Sequence, residues 1–161
     1  MTYTLIDSVT LGSSASSVTF SGISATGKGD LVCVIEASHT ETSTKNILIR
    51  FNNDSGSNYS YVLMDSDLSS YGGTGTNFAV GQTSSSATRS LTIFQAMDFS
   101  ATDKQKSIIN RLSKPPPDPG ARVEALAGRW ANTSAITTVN IISTGTMAAG
   151  STFQLFQIVS E

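Results

Sequence analysis

The stretch Asn46–Val62, NILIRFNNDSGSNYSYV, decides the fold. Ile47, Ile49 and Phe51 recur at period two with Leu48 and Arg50 on the opposite side, the spacing of a strand. Asn52-Asn53-Asp54-Ser55-Gly56-Ser57-Asn58 is a run of residues that tolerate turn geometry. Tyr59 to Met64 then resumes with aromatic and β-branched residues, which suit a pleated, half-buried surface. Strand, polar turn and strand together read as a hairpin that supplies part of a β-sandwich core.

The same alternation extends in both directions. Tyr3, Leu5, Asp7, Val9 and Leu11 alternate with Thr4, Ile6, Ser8 and Thr10, which predicts a first strand on the N-terminal side of Gly12. Val18 to Phe20 predicts a short second strand, after which Ile23 tucks inward. Leu31 to Ala37 is apolar on both faces, as in a central strand covered on both sides. From Asp65 to Ser86 the chain is rich in Ser, Gly and Thr and reads as a long loop with one weak strand near Phe78 to Gln82. Arg89 to Met97 is a strand with Leu91, Ile93 and Gln95 on one face.

Lys104 to Leu112 fits a strand or a helix, and its isoleucine pair and all-β surroundings favour the strand. Val123 to Trp130 suits a helix by propensity, yet it alternates like its neighbours and is read as a strand. Ile136 to Ile142 and Phe153 to Ile158 supply the last strands, with Ile136, Val139, Ile141, Phe153 and Leu155 as core candidates. Lys114-Pro115-Pro116-Pro117-Asp118-Pro119-Gly120 holds all four prolines, and without amide donors it is no ladder strand but an excursion. Ten or eleven short strands separated by turns predict an all-β fold. The expected form is a single antiparallel, jelly-roll-like β-sandwich spanning residues 1–161.

A chain of 161 residues is long enough to bury about two-thirds of the surface it exposes when unfolded. Its charge of −2, with 14 % charged residues, leaves no electrostatic footprint for nucleic acid or anionic lipid. A surface so poor in charge suits a protein held in an assembly or working outside the cell. Cys33 is the only cysteine, which excludes an intrachain disulfide, and its apolar neighbours mark a buried structural thiol. No apolar run approaches the roughly 20 residues of a membrane helix. The opening MTYTLIDSV has neither the basic nor the apolar region of a secretory signal, so synthesis in a cytoplasm is expected.

Constellations for chemistry are sparse. His39 is the single histidine, and its polar run Ser38-His39-Thr40-Glu41 predicts a solvated loop side chain without a nucleophile elbow around any serine. Asn52, Asp54, Ser55 and Asn58 offer oxygens that calcium accepts, but the spacing is not that of an EF-hand, and a turn that caps its own backbone needs no ion. The carboxylate pairs Asp65 with Asp67 and Asp98 with Asp103 lie in turns, where acids are common anyway. Gly72-Gly73-Thr74-Gly75 lacks the lysine of a phosphate loop. No catalytic, cofactor-binding or metal-binding residue is assigned, and an enzyme is not expected. Tyr59, Tyr61, Tyr71 and Trp130 could stack sugars, although a lone tryptophan that ends a strand beside Arg129 reads better as core.

Four segments carry a resemblance. They are Ile47 to Ser60, Tyr3 to Phe20, Ala127-Gly128-Arg129-Trp130-Ala131-Asn132-Thr133-Ser134-Ala135-Ile136-Thr137, and Met147-Ala148-Ala149-Gly150-Ser151-Thr152-Phe153. Together they resemble small β-rich virion proteins of tailed phages, marine and cyanobacterial ones especially. The resemblance spans nearly the whole chain, and the proline run departs from the Gly/Ser/Asn loop expected there. It implies a structural protein of the particle with no catalytic residues. The first expectation is a capsid decoration (cement) protein on the virion exterior that bridges major capsid subunits, with copies of itself as a trimer. The second is a fibre or a module that binds a receptor or surface glycan. The expected partner contacts lie on irregular excursions: Leu68, Tyr71 and Phe78 in the Ser66–Ser86 loop, Arg111, Lys114, Pro116 and Arg122 around the prolines, and the N-terminal strand.

Overall fold

In the computed structural model, which describes residues 2–24, 29–66, 70–83, 88–115 and 121–159, the chain is an antiparallel β-sandwich. The described residues form twelve strands and no helix. In chain order these are β1 (Thr2–Thr10), β2 (Ala15–Ser21), β3 (Gly29–Ala37), β4 (Lys45–Phe51), β5 (Tyr59–Asp65) and β6 (Ser70–Gly75). They continue as β7 (Phe78–Thr83), β8 (Ser90–Ala96), β9 (Lys106–Lys114), β10 (Arg122–Trp130), β11 (Thr138–Met147) and β12 (Thr152–Val159). The large sheet has eight strands in the order β1-β12-β3-β8-β9-β10-β5-β6, and the small sheet has four in the order β2-β11-β4-β7.

The opening stretch is not a hairpin. β4 pairs with β11 and β7 in the small sheet, whereas β5 pairs with β10 and β6 in the large one. Asn52–Asn58 is therefore an arch that carries the chain from one sheet to the other. Asn52 and Asn53 take left-handed backbone conformations, with φ of 49° and 56°, which asparagine tolerates better than most side chains. The arch folds back on itself through Tyr59, whose Oη accepts from the Phe51 amide at 3.0 Å and donates to the Asp54 carbonyl at 3.0 Å. Burial pushes the Tyr59 phenol up to about 12.

Between the sheets lies one apolar core centred on Phe51. Its ring has centroids of Trp130 at 5.4 Å, Phe94 at 5.8 Å, Phe78 at 6.1 Å and Tyr59 at 6.5 Å. Aromatic pairs at such separations stabilise beyond their area burial. Cys33 is fully buried, and that burial raises its thiol well above the usual range.

Several local readings change. The weak strand expected near Phe78 to Gln82 is β7, but a second strand, β6, also falls inside the segment read as loop. The Gly-rich sequence of β6 gives little strand signal, and it is held at the sheet edge by pairing with β5 alone. Phe78 is a fully buried core side chain because Gly128 of β10 makes room for it: a Cβ at Gly128 would lie 2.6 Å from the Phe78 ring. β3 is covered on its inner face only, by the small sheet; no third layer lies over its outer face among the described residues. His39 is buried, bridged to Met147, and its Nε2 meets the Ser43 carbonyl.

Candidate docking surface

Strand alternation sorts the side chains of the large sheet. Along β9, Lys106, Ile108, Asn110, Leu112 and Lys114 point inward, while Ser107, Ile109, Arg111 and Ser113 point outward. Cα pairing then extends the outer face from strand to strand. Ile93 stands opposite Val34 and Arg111, Ile109 opposite Gln95 and Ala127, Ala127 opposite Val62, and Ala125 opposite Met64. Residues facing each other across a ladder share one side of the sheet, so these side chains form one surface. Leu91, Ile109, Val62, Met64 and Val123 are each between 42 % and 64 % exposed on it.

Near β1 the surface has a groove of about 370 Å³. Val32, Val34, Ile93 and Ile109 line it with Tyr3, Gln95 and Arg111. Tyr3 meets Phe156 edge-on at 6.4 Å and forms one wall. Arg111 is the charge in this groove, and the other formal charges bordering it are paired or hydrogen-bonded. Asp30 accepts from Gln95 at 2.7 Å and from the Asp98 amide at 2.9 Å, and Glu36 meets Arg89 at 3.4 Å. An outer face this apolar in a chain of such low charge is what an interaction surface looks like.

β1 adds an open edge. It pairs with β12 alone, and its residues are exposed except for Val9, which is half-buried. A register shift between Leu5 and Asp7 leaves Ile6 as an extra residue. Leu5 faces Phe156 on the outer side, whereas Asp7 and Val9 face Leu155 and Phe153 on the core side. The single-face alternation expected from Tyr3 to Leu11 is thus split by a bulge, which sends Tyr3 and Leu5 outward and Val9 inward.

No known protein family, curated protein or solved structure matches the chain. Its functional reading rests on its own residues.

The expected contact residues scatter. Arg111 does lie on the outer face. Phe78 is no surface contact, being packed against Tyr59 with centroids 5.0 Å apart. Lys114 is buried at the inward end of β9, where its Nζ donates to Thr44 Oγ1 at 2.9 Å. Arg122 turns to the same inner end and pairs with Asp65 at 2.7 Å and Glu124 at 3.0 Å. Leu68, Pro116 and the Tyr71 side chain lie outside the described residues. The exposed row Leu91, Ile109, Val123, Val62 and Met64 was missed as a surface. Its signal was present in the Leu91-Ile93-Gln95 alternation, which marks the outer rather than the core face of β8.

The candidate cation turn and the candidate sugar platform also change character. Asp54 Oδ2 accepts from Trp130 Nε1 at 2.7 Å, and Oδ1 accepts from the Gly56 amide at 2.9 Å; Asn58 Nδ2 donates to both oxygens. Burial alone would raise the Asp54 carboxyl, but these donors, Trp130 first, hold it below the usual range. The turn caps itself and ties its carboxylate to the core. Trp130 and Tyr59 are fully buried and present no face to solvent.

Proposed function

We propose that this chain is a structural protein of a tailed-phage particle, a decoration (cement) protein that bridges major capsid subunits on the head exterior. The single observation that carries the reading is the apolar outer face of the eight-stranded sheet, bordered by the unpaired edge of β1. A clamp of this kind works by buried area rather than by chemistry, and a broad, slightly grooved sheet face suits contact with a protein wall. The outer face seats on the capsid subunits. The edges β1 and β6 of the large sheet differ from one another, so β1 of one copy against β6 of the next is a head-to-tail contact that makes a ring where its rotation closes; a trimer suits capsid three-fold sites.

Co-sedimentation with phage heads stripped of this protein tests the reading. The wild-type chain is expected to pellet with the heads. Ile109→Asp and Val123→Asp, at exposed positions, are expected to stay folded and remain in the supernatant. Undiminished pelleting of both variants would place the contact elsewhere.

A further inference from the structure

The outer face of the large sheet carries two cations that its own residues leave open. Arg111 of β9 and Arg129 of β10 both point outward and are exposed. Among the described residues neither forms a hydrogen bond or an ion pair. Arg111 stands opposite Ala125, and Arg129 stands opposite Ser107, four residues further along the same ladder. Four residues along and one strand across, their Cα atoms are roughly 14 Å apart. Ile109 and Ala127, opposite one another, fill the interval. Each arginine borders an apolar floor. Arg111 lies in the groove with Val34, Ile93 and Ile109, and Arg129 borders a shallow depression of about 350 Å³ with Val62 and Ala127. The acids Asp30 and Glu36 stand two strands away from β9, on β3, and are engaged there by Gln95, the Asp98 amide and Arg89.

We infer that the capsid wall seated on this face is apolar and presents two carboxylates, one to Arg111 and one to Arg129. The inference rests on the capsid-contact reading and adds the chemistry of the surface that the sheet meets. Desolvation is the reason. A contact that buries Ile109, Ala127 and Val62 also takes water from the two guanidiniums beside them. A cation removed from water without a partner is costly, and among the described residues this chain brings no acid to either arginine. The opposing surface must therefore supply it. A carboxylate matches the planar fork of a guanidinium and makes the strongest of its hydrogen bonds. The spacing also selects a geometry. Residues four apart on a strand share one face and span about 13 Å, so Asp or Glu at positions i and i+4 of an extended segment reach both arginines, with an apolar residue between them over Ile109.

Quantitative co-sedimentation of the full chain with stripped heads tests it, at about 50 and about 500 mM salt. The wild-type chain is expected to bind about five-fold or more weakly at the higher salt. Arg111→Gln combined with Arg129→Gln should weaken binding about ten-fold at the lower salt and flatten the salt dependence, with the melting temperature unchanged. Each single variant should show part of that loss, and with the wild-type salt response they decide the matter if the double variant does not fold. Arg50→Gln combined with Lys104→Gln removes the same charge away from this face and should bind like the wild type. Wild-type binding indifferent to salt, arginine variants that bind as tightly as the wild type, or an equal loss in the Arg50 and Lys104 control overturns the inference and leaves the capsid contact standing. A wild-type chain that never pellets removes the capsid contact, and this inference with it.

Discussion

Asp54 ties the arch to the core, and its acid–base behaviour follows from its donors. Its folded-state carboxyl titrates below the value of about 3.9 expected in the unfolded chain. The unfolded state therefore binds the proton first as pH falls. The stabilisation is complete above about pH 4 and is lost as pH drops through the lower folded value. Urea unfolding of Asp54→Asn should show a loss of about 1.5–3 kcal/mol at pH 7, the scale of a hydrogen-bonded charged group, shrinking by pH 3. An equal loss at both pH values would mean that shape, not charge, is what matters there. Trp130→Phe removes the indole donor but keeps most of the ring, and should cost about 1–3 kcal/mol by leaving Asp54 Oδ2 short of a partner. Little of this was legible in the sequence. The turn's polarity and Trp130 as core were, but their connection spans 76 residues and no local pattern reports it.

Strands were legible in the sequence wherever side chains alternate, because burial of one face imposes period two. β9 and β10 are the clearest cases, and each could have been a helix on propensity alone. What periodicity does not report is the partner. A hairpin and an arch share the pattern strand, polar turn, strand, and only the distant strands β11 and β10 assign β4 and β5 to different sheets. Nor does it say which of two faces is wet: on β8 the buried residues are Ser90, Thr92, Phe94 and Ala96, so the more apolar-looking Leu91 and Ile93 face outward. β6 escaped because its glycines carry no strand signal, whereas β7 was legible as a weak strand near Phe78 to Gln82; a glycine on β10 is what lets β7 approach. Gly128→Ala should destabilise by about 1–3 kcal/mol in thermal or urea unfolding, since the added methyl must displace the Phe78 ring. Ala127→Ser, one residue away on the outer face, should be near neutral.

At the scale of the molecule, a division into eight strands and four leaves the outer face of the large sheet and its two edge strands, β1 and β6, unmatched among the described residues. The excursions that looked like contact loops contribute less. Phe78 closes the core, and Lys114 and Arg122 close its inner end; Arg111 alone of the described candidates lies on the outer face. Association between copies should depend on β1. Light scattering of the purified chain should report a trimer, and Leu5→Lys, which puts a charge on the exposed edge, should shift it to monomer without lowering the melting temperature. A wild-type monomer at high micromolar concentration would remove the ring from the proposal and leave the capsid contact standing. That contact is the central claim, and an electron cryomicroscopy reconstruction of the phage particle measures it most directly. The account predicts a twelve-stranded sandwich on the outside of the head at junctions of major capsid subunits, with Ile109, Val123 and Val62 buried against the shell. A shell without this chain, or one that carries it with that face turned to solvent, would contradict the account.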